Sequence, residues 1–184
     1  MKMFWNEHGL WIGAEMEEPH LWATLTEHDS VIFHENDFEV FLDPDDDGEL
    51  YLELEINALN TTWDLLLTKA YKKQGKPLDS FEVKGLQTAV SLRGTLNDPS
   101  DTDDGWSVEI LLPWRSLREI SNCPVPPNPG DRWRINFSRV QWHRTVEGGS
   151  YVKVPGRPEE NWVWSPQGEI DMHVPENWGY LEFA

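Results

Sequence analysis

Apolar and polar residues alternate with a period of two over most of the readable chain, the signature of half-buried β-strands rather than helices. Leu50, Leu52, Leu54, Ile56 and Ala58 alternate with Tyr51, Glu53, Glu55 and Asn57. Upstream, Phe38, Val40 and Leu42 alternate with Asp37, Glu39 and Asp43, and DPDDDG at 43–48 has the Asp/Gly chemistry of a turn joining the two runs. The pattern predicts an antiparallel hairpin with one apolar and one acidic face. Further runs predict strands at 3–5, 10–16, 63–67, 86–92, 106–112, 133–140 and 178–183, about nine strands in all. Helical signal is confined to WRSLREI at 114–120, just after Pro113. Two connections, 17–36 and 141–172, are long, and long loops in a compact domain tend to carry function. PVPPNPG at 124–130 reads as a stiff crossover between strands rather than a domain linker. Together these predict one all-β domain over 1–184, an antiparallel sandwich of jelly-roll or immunoglobulin-like type.

Composition agrees with a folded domain and narrows its partners. The 184 residues are 39% hydrophobic, enough with 13 glycines to bury a core, while 33 acidic and 15 basic side chains leave a net charge of −18. Residues 1–60 hold 16 acidic groups and only Lys2, so the excess is concentrated there at −15. Such a chain offers no basic stripe for nucleic acid and is repelled by anionic membrane surfaces. No apolar run approaches the roughly 18 residues of a membrane span, and MKMFWNEHG contains no apolar segment of signal-peptide length. A lone Cys123 excludes an intrachain disulfide or a cysteine-cluster metal site. The 11 tryptophans suit a core, and equally a surface that holds an amphipathic ligand.

Three segments carry a resemblance: NDFEVFLDPDDDG with YLELEINALNTTWDLLL, then DDGWSVEILLPWRSL, then DRWRINFSRVQW with the closing WGYLEF. They resemble the family 9 carbohydrate-binding modules and the wider group of DOMON-like β-sandwiches, over about 3–183, with GW-x-VEI-x-x-PW at 105–114 as the most specific piece. The resemblance implies a non-catalytic sandwich that binds plant-type or other polysaccharides, with calcium supporting its loops and no organic cofactor. It implies a glycan ligand, an association with polysaccharide-degrading enzymes, and a secreted, periplasmic or cell-surface setting. It also implies a further N-terminal strand region ahead of Met3, absent from this chain.

Sugar rings present C–H faces and a rim of hydroxyls, so a binding site needs flat aromatic platforms and polar side chains reaching the rim. Matching NDFEVFLD to the family's strand places the first aromatic clamp at Phe33 and its carboxylate at Glu39. The family's arginine falls at Glu55, and the second clamp falls near Met172 and His173, where no tryptophan stands. Trp142, Trp162 and Trp164 in the preceding loop are candidate replacements for that platform. Alternation puts Glu39, Glu53, Glu55 and Asn57 on one face, which is either solvated or a loop-covered groove, with Arg132, Arg134 or Arg139 available to offset the acids. Asp43, Asp45 and Asp47 have the spacing of the first EF-hand ligands, but Leu54 stands at position twelve, so the run is a plain acidic turn or a looser calcium site. Asp101 and Asp103 in NDPSDTDDG form a second such loop. Two other functions stay open: a glycoside hydrolase using paired carboxylates, and a haem b domain with methionine and histidine ligands. For the latter, adjacent Met172 and His173 would point to opposite faces if they lay on a strand, which leaves Met16 or Met3 with a distant histidine.

Overall fold

The structure, a computed structural model, describes residues 1–184. In chain order the strands are β1 (Lys2–Trp5), β2 (Gly9–Glu17), β3 (Asp37–Asp43), β4 (Glu49–Asn57), β5 (Thr62–Lys69), β6 (Pro77–Leu78) and β7 (Gln87–Arg93). After them come β8 (Gly105–Pro113), a short helix α1 (Trp114–Leu117), β9 (Arg132–Gln141), β10 (Arg144–Glu147), β11 (Ser150–Lys153), β12 (Glu160–Val163) and β13 (Gly179–Glu182). The molecule is an all-β sandwich. One sheet has the order β1-β2-β8-β7; the other runs β12-β9-β3-β4-β5-β6, with β13 also on β9, and β10 and β11 form a separate hairpin. Strands β12 and β13 share one edge of β9, β12 pairing with 138–141 and β13 with 132–135.

All nine strands expected from alternation are present, and four short ones join them: β6, β10, β11 and β12. Three of the four lie inside the long 141–172 connection, where four-residue segments are too brief to show a period. Pro113 caps α1 in extended conformation, and a 3₁₀ turn, Arg118–Ile120, completes the expected helical stretch. The proline-rich segment then carries the chain from β8 in one sheet to β9 in the other, as a crossover should.

The two sheets enclose one core of 27 buried residues. Leu10, Ile12, Val108 and Ile110 from one sheet meet Val40, Leu52, Leu54 and Ile135 from the other, every one of them at most 2% exposed. Burying each such side chain is worth about 1.5–3 kcal/mol, which fixes the register of every strand that contributes. Trp114, Trp133 and Phe183 pack edge-to-face at one end, so these tryptophans are structural. The GW-x-VEI run needs its glycine: Gly105 has φ +136°, and a Cβ there would stand 2.0 Å from the Met16 carbonyl oxygen.

The acidic face of the hairpin is not solvated. Strand β3 is buried at all seven positions, and Asp37, Glu39, Glu53 and Glu55 are as buried as the apolar row behind them. Both long connections lie over that face. Residues 17–36 reach it through the Phe33 amide, which donates to Glu55, and the Leu25 carbonyl, which accepts from Asn57. Met172, at the end of the second connection, and Trp178, just before β13, pack on Phe41, Tyr51, Leu65 and Leu67, a small second core outside the sheet.

Candidate functional site

Between the two covering segments a cleft of about 490 Å³ opens on the outer face of the larger sheet. Strand β3 supplies Glu39 and Phe41 from its outward positions. Strand β12 supplies Asn161 and Val163, because its register sets Asn161 against Val140 of β9, also a lining residue. Phe33 stands at the cleft, stacked on Trp63 with ring centroids 6.3 Å apart. Tyr71, just beyond β5, meets His173 edge-on at 4.6 Å, and both line the cleft with Met172.

The carboxylates beneath are crowded and lack cationic partners. Oxygens of Asp37, Glu39 and Glu55 lie within 4.8 Å of one another. Asp37 Oδ1 accepts from the Val140 amide at 3.0 Å, while its Oδ2 is buried without a partner. Burial pushes the Glu39 carboxyl up to about 7. Burial first, and repulsion from neighbouring acids second, hold Asp37, Glu53 and Glu55 well above the usual carboxylate range. His173 is driven the other way, to about 4, by burial, so its imidazole is neutral at physiological pH. Tyr51, whose pKa is raised chiefly by burial, keeps its proton and shares a hydrogen bond with His173 Nδ1 at 2.9 Å. His173 Nε2 lies 3.9 Å from Glu53, too far for a hydrogen bond. The floor therefore offers carboxyl groups and an imidazole, which between them can donate and accept hydrogen bonds.

Of the residues singled out in the sequence, the fold brings together Phe33, Glu39, Met172 and His173, with Glu55 directly beneath. Met172 and His173 share the cleft because the segment that bears them is not a strand, so strand alternation does not separate them. Asn57 is buried and committed to its turn, with Oδ1 accepting from Leu59 and Thr61. Arg139 is on the other face of β9, in phase with Trp133, Ile135 and Phe137, and it pairs with buried Glu18 at 2.8 Å rather than with the acids of the cleft. Arg134 likewise pairs elsewhere, with Asp46. Trp162 and Trp164 alternate away from Asn161 and Val163, so neither faces the cleft; Trp164 packs edge-on against Phe137. Trp142 donates to the Phe33 carbonyl at 2.8 Å and supports that segment without lining the cleft. Tyr71 and Asn161 were missed because neither sits in a periodic run.

The two acidic loops differ. In 43–48, oxygens of Asp43, Asp45 and Asp47 lie within 4.8 Å of one another, and Oδ1 of both Asp43 and Asp45 is buried without a partner. Burial raises the Asp43 carboxyl to about 7. These orphaned oxygens fit a hard cation such as calcium. In the second loop, Asp103 already accepts from the Leu21 amide at 2.7 Å and the Thr95 amide at 2.7 Å, and Asp101 is exposed. Asp103 thus fastens the first long connection to this loop.

No family model matches the chain, and no curated protein matches it. Among solved structures, it is similar in fold to one named "putative carbohydrate-binding protein" from Bacteroides uniformis. The TM-score is 0.66 at 19% sequence identity, covering 97% of this chain and 74% of that one.

Proposed function

We propose that this protein is a non-catalytic carbohydrate-binding domain whose ligand lies in the cleft between Phe33 and the Tyr71–His173 pair. The observation that carries the reading is a polar floor of buried, uncompensated acids set between aromatic rings on the outer face of a sandwich. Rings offer flat surface to the C–H faces of a sugar, and the acids with Asn161 reach its hydroxyls. The carbohydrate-binding name of the structural neighbour and the resemblance of the hairpin to family 9 modules support the same reading.

Charge narrows the ligand. Glu39, Glu159, Glu169 and Asp171 line the cleft with no lysine or arginine among the lining residues; Lys72 pairs with Glu169 and, at 3.1 Å, with Asp171 from outside. Uronate or sulfated chains are repelled by such a site, and neutral or amino sugars are accepted. A calcium ion held by Asp43, Asp45 and Asp47 would brace the β3–β4 turn below the cleft, supplying charge balance and rigidity. The haem alternative is less favoured, since His173 is engaged by Tyr51 and Met16 is buried in the sandwich core.

Calorimetry with neutral, amino-sugar and uronate oligosaccharides tests the proposal. Saturable heat with the first or second class, weakened in Phe33→Ala and Tyr71→Ala and absent with uronates, is expected. Release of new reducing ends would make the protein a hydrolase, and silence with all three classes would refute the binding role.

A further inference from the structure

Away from the cleft, a histidine and three carboxylates converge at the opposite end of β5. His28 comes from the first long connection, as does Asp29; Asp64 lies on β5, and Glu82 on the segment between β6 and β7. Ligand atoms of His28, Asp29 and Asp64 lie within 4.8 Å of one another. From His28 Nε2 the distances are 3.1 Å to Glu82, 3.3 Å to Asp29 Oδ1 and 3.7 Å to Asp64 Oδ1.

Two independent observations show that this is more than a patch of acids. First, Asp64 is 1% exposed and its Oδ1, aimed at the histidine, has no hydrogen-bond partner; Asp29 Oδ1 is likewise buried and unpartnered. The other Asp64 oxygen is fixed by the Val83 amide at 2.5 Å, so the orphaned one cannot rotate away. Second, His28 Nδ1 lies 3.0 Å from the Thr62 carbonyl, which can only accept. The Thr62 hydroxyl lies 3.2 Å from the same nitrogen, so Thr62 holds Nδ1 and Nε2 is the nitrogen that faces the acids, 3.1 Å from Glu82; outer contacts of this kind orient metal-bound histidines.

We infer that His28, Asp29 and Asp64, with Glu82 at the rim, form a binding site for a divalent transition metal, zinc being the best match. At about 2.1 Å from each ligand, a tetrahedral ion has ligand-to-ligand edges of about 3.4 Å, in the middle of the separations seen here. One imidazole among carboxylates suits zinc better than magnesium or calcium, which take oxygen alone. Side chains of His28 and Glu82 are about half exposed while Asp64 is closed off, so an ion can reach the site from solvent and keep a water ligand. Bound there, it staples the first long connection to β5 and to the 79–86 segment.

Metal-stripped full-length protein is titrated with zinc and, separately, with cobalt, whose visible spectrum reports coordination. Wild type is expected to take up one zinc equivalent that both His28→Gln and Asp64→Asn lack, or bind at least about tenfold more weakly. The cobalt spectrum should collapse in the same two variants while calcium uptake is unchanged. His28 is half exposed, so His28→Gln keeps the fold, checked by near-ultraviolet circular dichroism, and decides the matter if Asp64→Asn does not fold. No zinc uptake by wild type, or equal uptake and an unaltered cobalt spectrum in His28→Gln, would overturn the inference and leave the cluster as an imidazolium ringed by carboxylates.

Discussion

Glu39 makes the strongest claim on measurement, because burial raises its carboxyl from an ordinary 4.5 to about 7. The folded state then binds a proton there more tightly than the unfolded chain does. The stability this contributes is fully present below pH 4.5 and is lost as pH rises through about 7. At about 1.4 kcal/mol per pH unit the loss comes to about 3 kcal/mol. Replacing Glu39 by glutamine keeps the shape and removes the titration. Glu39→Gln should match wild type near pH 4.5 and exceed it by about 3 kcal/mol at pH 8, or about 10 °C in melting temperature for a domain of this size. Urea and thermal melts in chelating buffer across pH 4.5–8 measure the difference directly. Asp43 titrates in the same range and sense, so wild type and variant should both lose stability with pH, the wild type more steeply. Parallel curves, or a variant less stable at pH 8, would show that Glu39 is ionised at little cost and that the cleft floor is wetter than described.

Three further outcomes follow from the same geometry. Phe33→Ala and Tyr71→Ala should each weaken glycan binding by about tenfold, the worth of an aromatic platform, while shifting the melting temperature little, as calorimetry paired with thermal melts will show. Calcium at a hundredfold excess over its dissociation constant should stabilise wild type by about 2.7 kcal/mol, and Asp43→Asn should abolish that gain in melts with calcium against chelator. Glu18 is 1% exposed and pairs with both Arg139 and Arg144, so Glu18→Gln leaves two guanidinium groups without their counter-charge and should cost about 3–5 kcal/mol in urea denaturation.

The sandwich was legible because alternation is a direct report of one apolar face. Val40, Leu42, Leu52, Leu54 and Ile56 announce their side of the hairpin, and the same rhythm marks β2, β8 and β9. Alternation is silent about the polar face. Asp37, Glu39, Glu53 and Glu55 read identically whether water or a covering loop lies over them, since the cover is made of distant residues with no period of their own. Arg139 shows the reverse case: its phase with Trp133, Ile135 and Phe137 already puts it opposite Glu39, and the structure agrees with the phase. Strand β12, ENWV, is too short to show a phase, so Trp162 and Trp164 could not be turned away from the site, nor Asn161 turned toward it, by inspection. Tyr71 follows β5 in a 3₁₀ turn whose residues carry no signal for a cleft.

The acidity of the first 60 residues takes on a physical meaning once its members are placed. Asp37 under the cleft and Asp43 in the β3–β4 turn each keep a buried, unpartnered oxygen, and Asp64 on β5 does so beside Asp29 of the same N-terminal stretch. A desolvated carboxylate oxygen without a donor is costly, and a chain with arginines to spare on β9 could have paired them. It pairs them instead with Glu18 and Asp46. Arginine is therefore spent on fastening the first long connection and the β3–β4 turn to the sheet, while the unpartnered oxygens of Asp37, Asp43 and Asp64 are left for protons or for cations from outside. A fold selected for stability alone would gain from swapping Asp37 or Glu39 for an apolar residue of similar size. Retaining them, Glu39 in the wall of an open cleft and Asp37 beside it, is the cost expected of the proposed binding site, whose acids would form hydrogen bonds to a ligand.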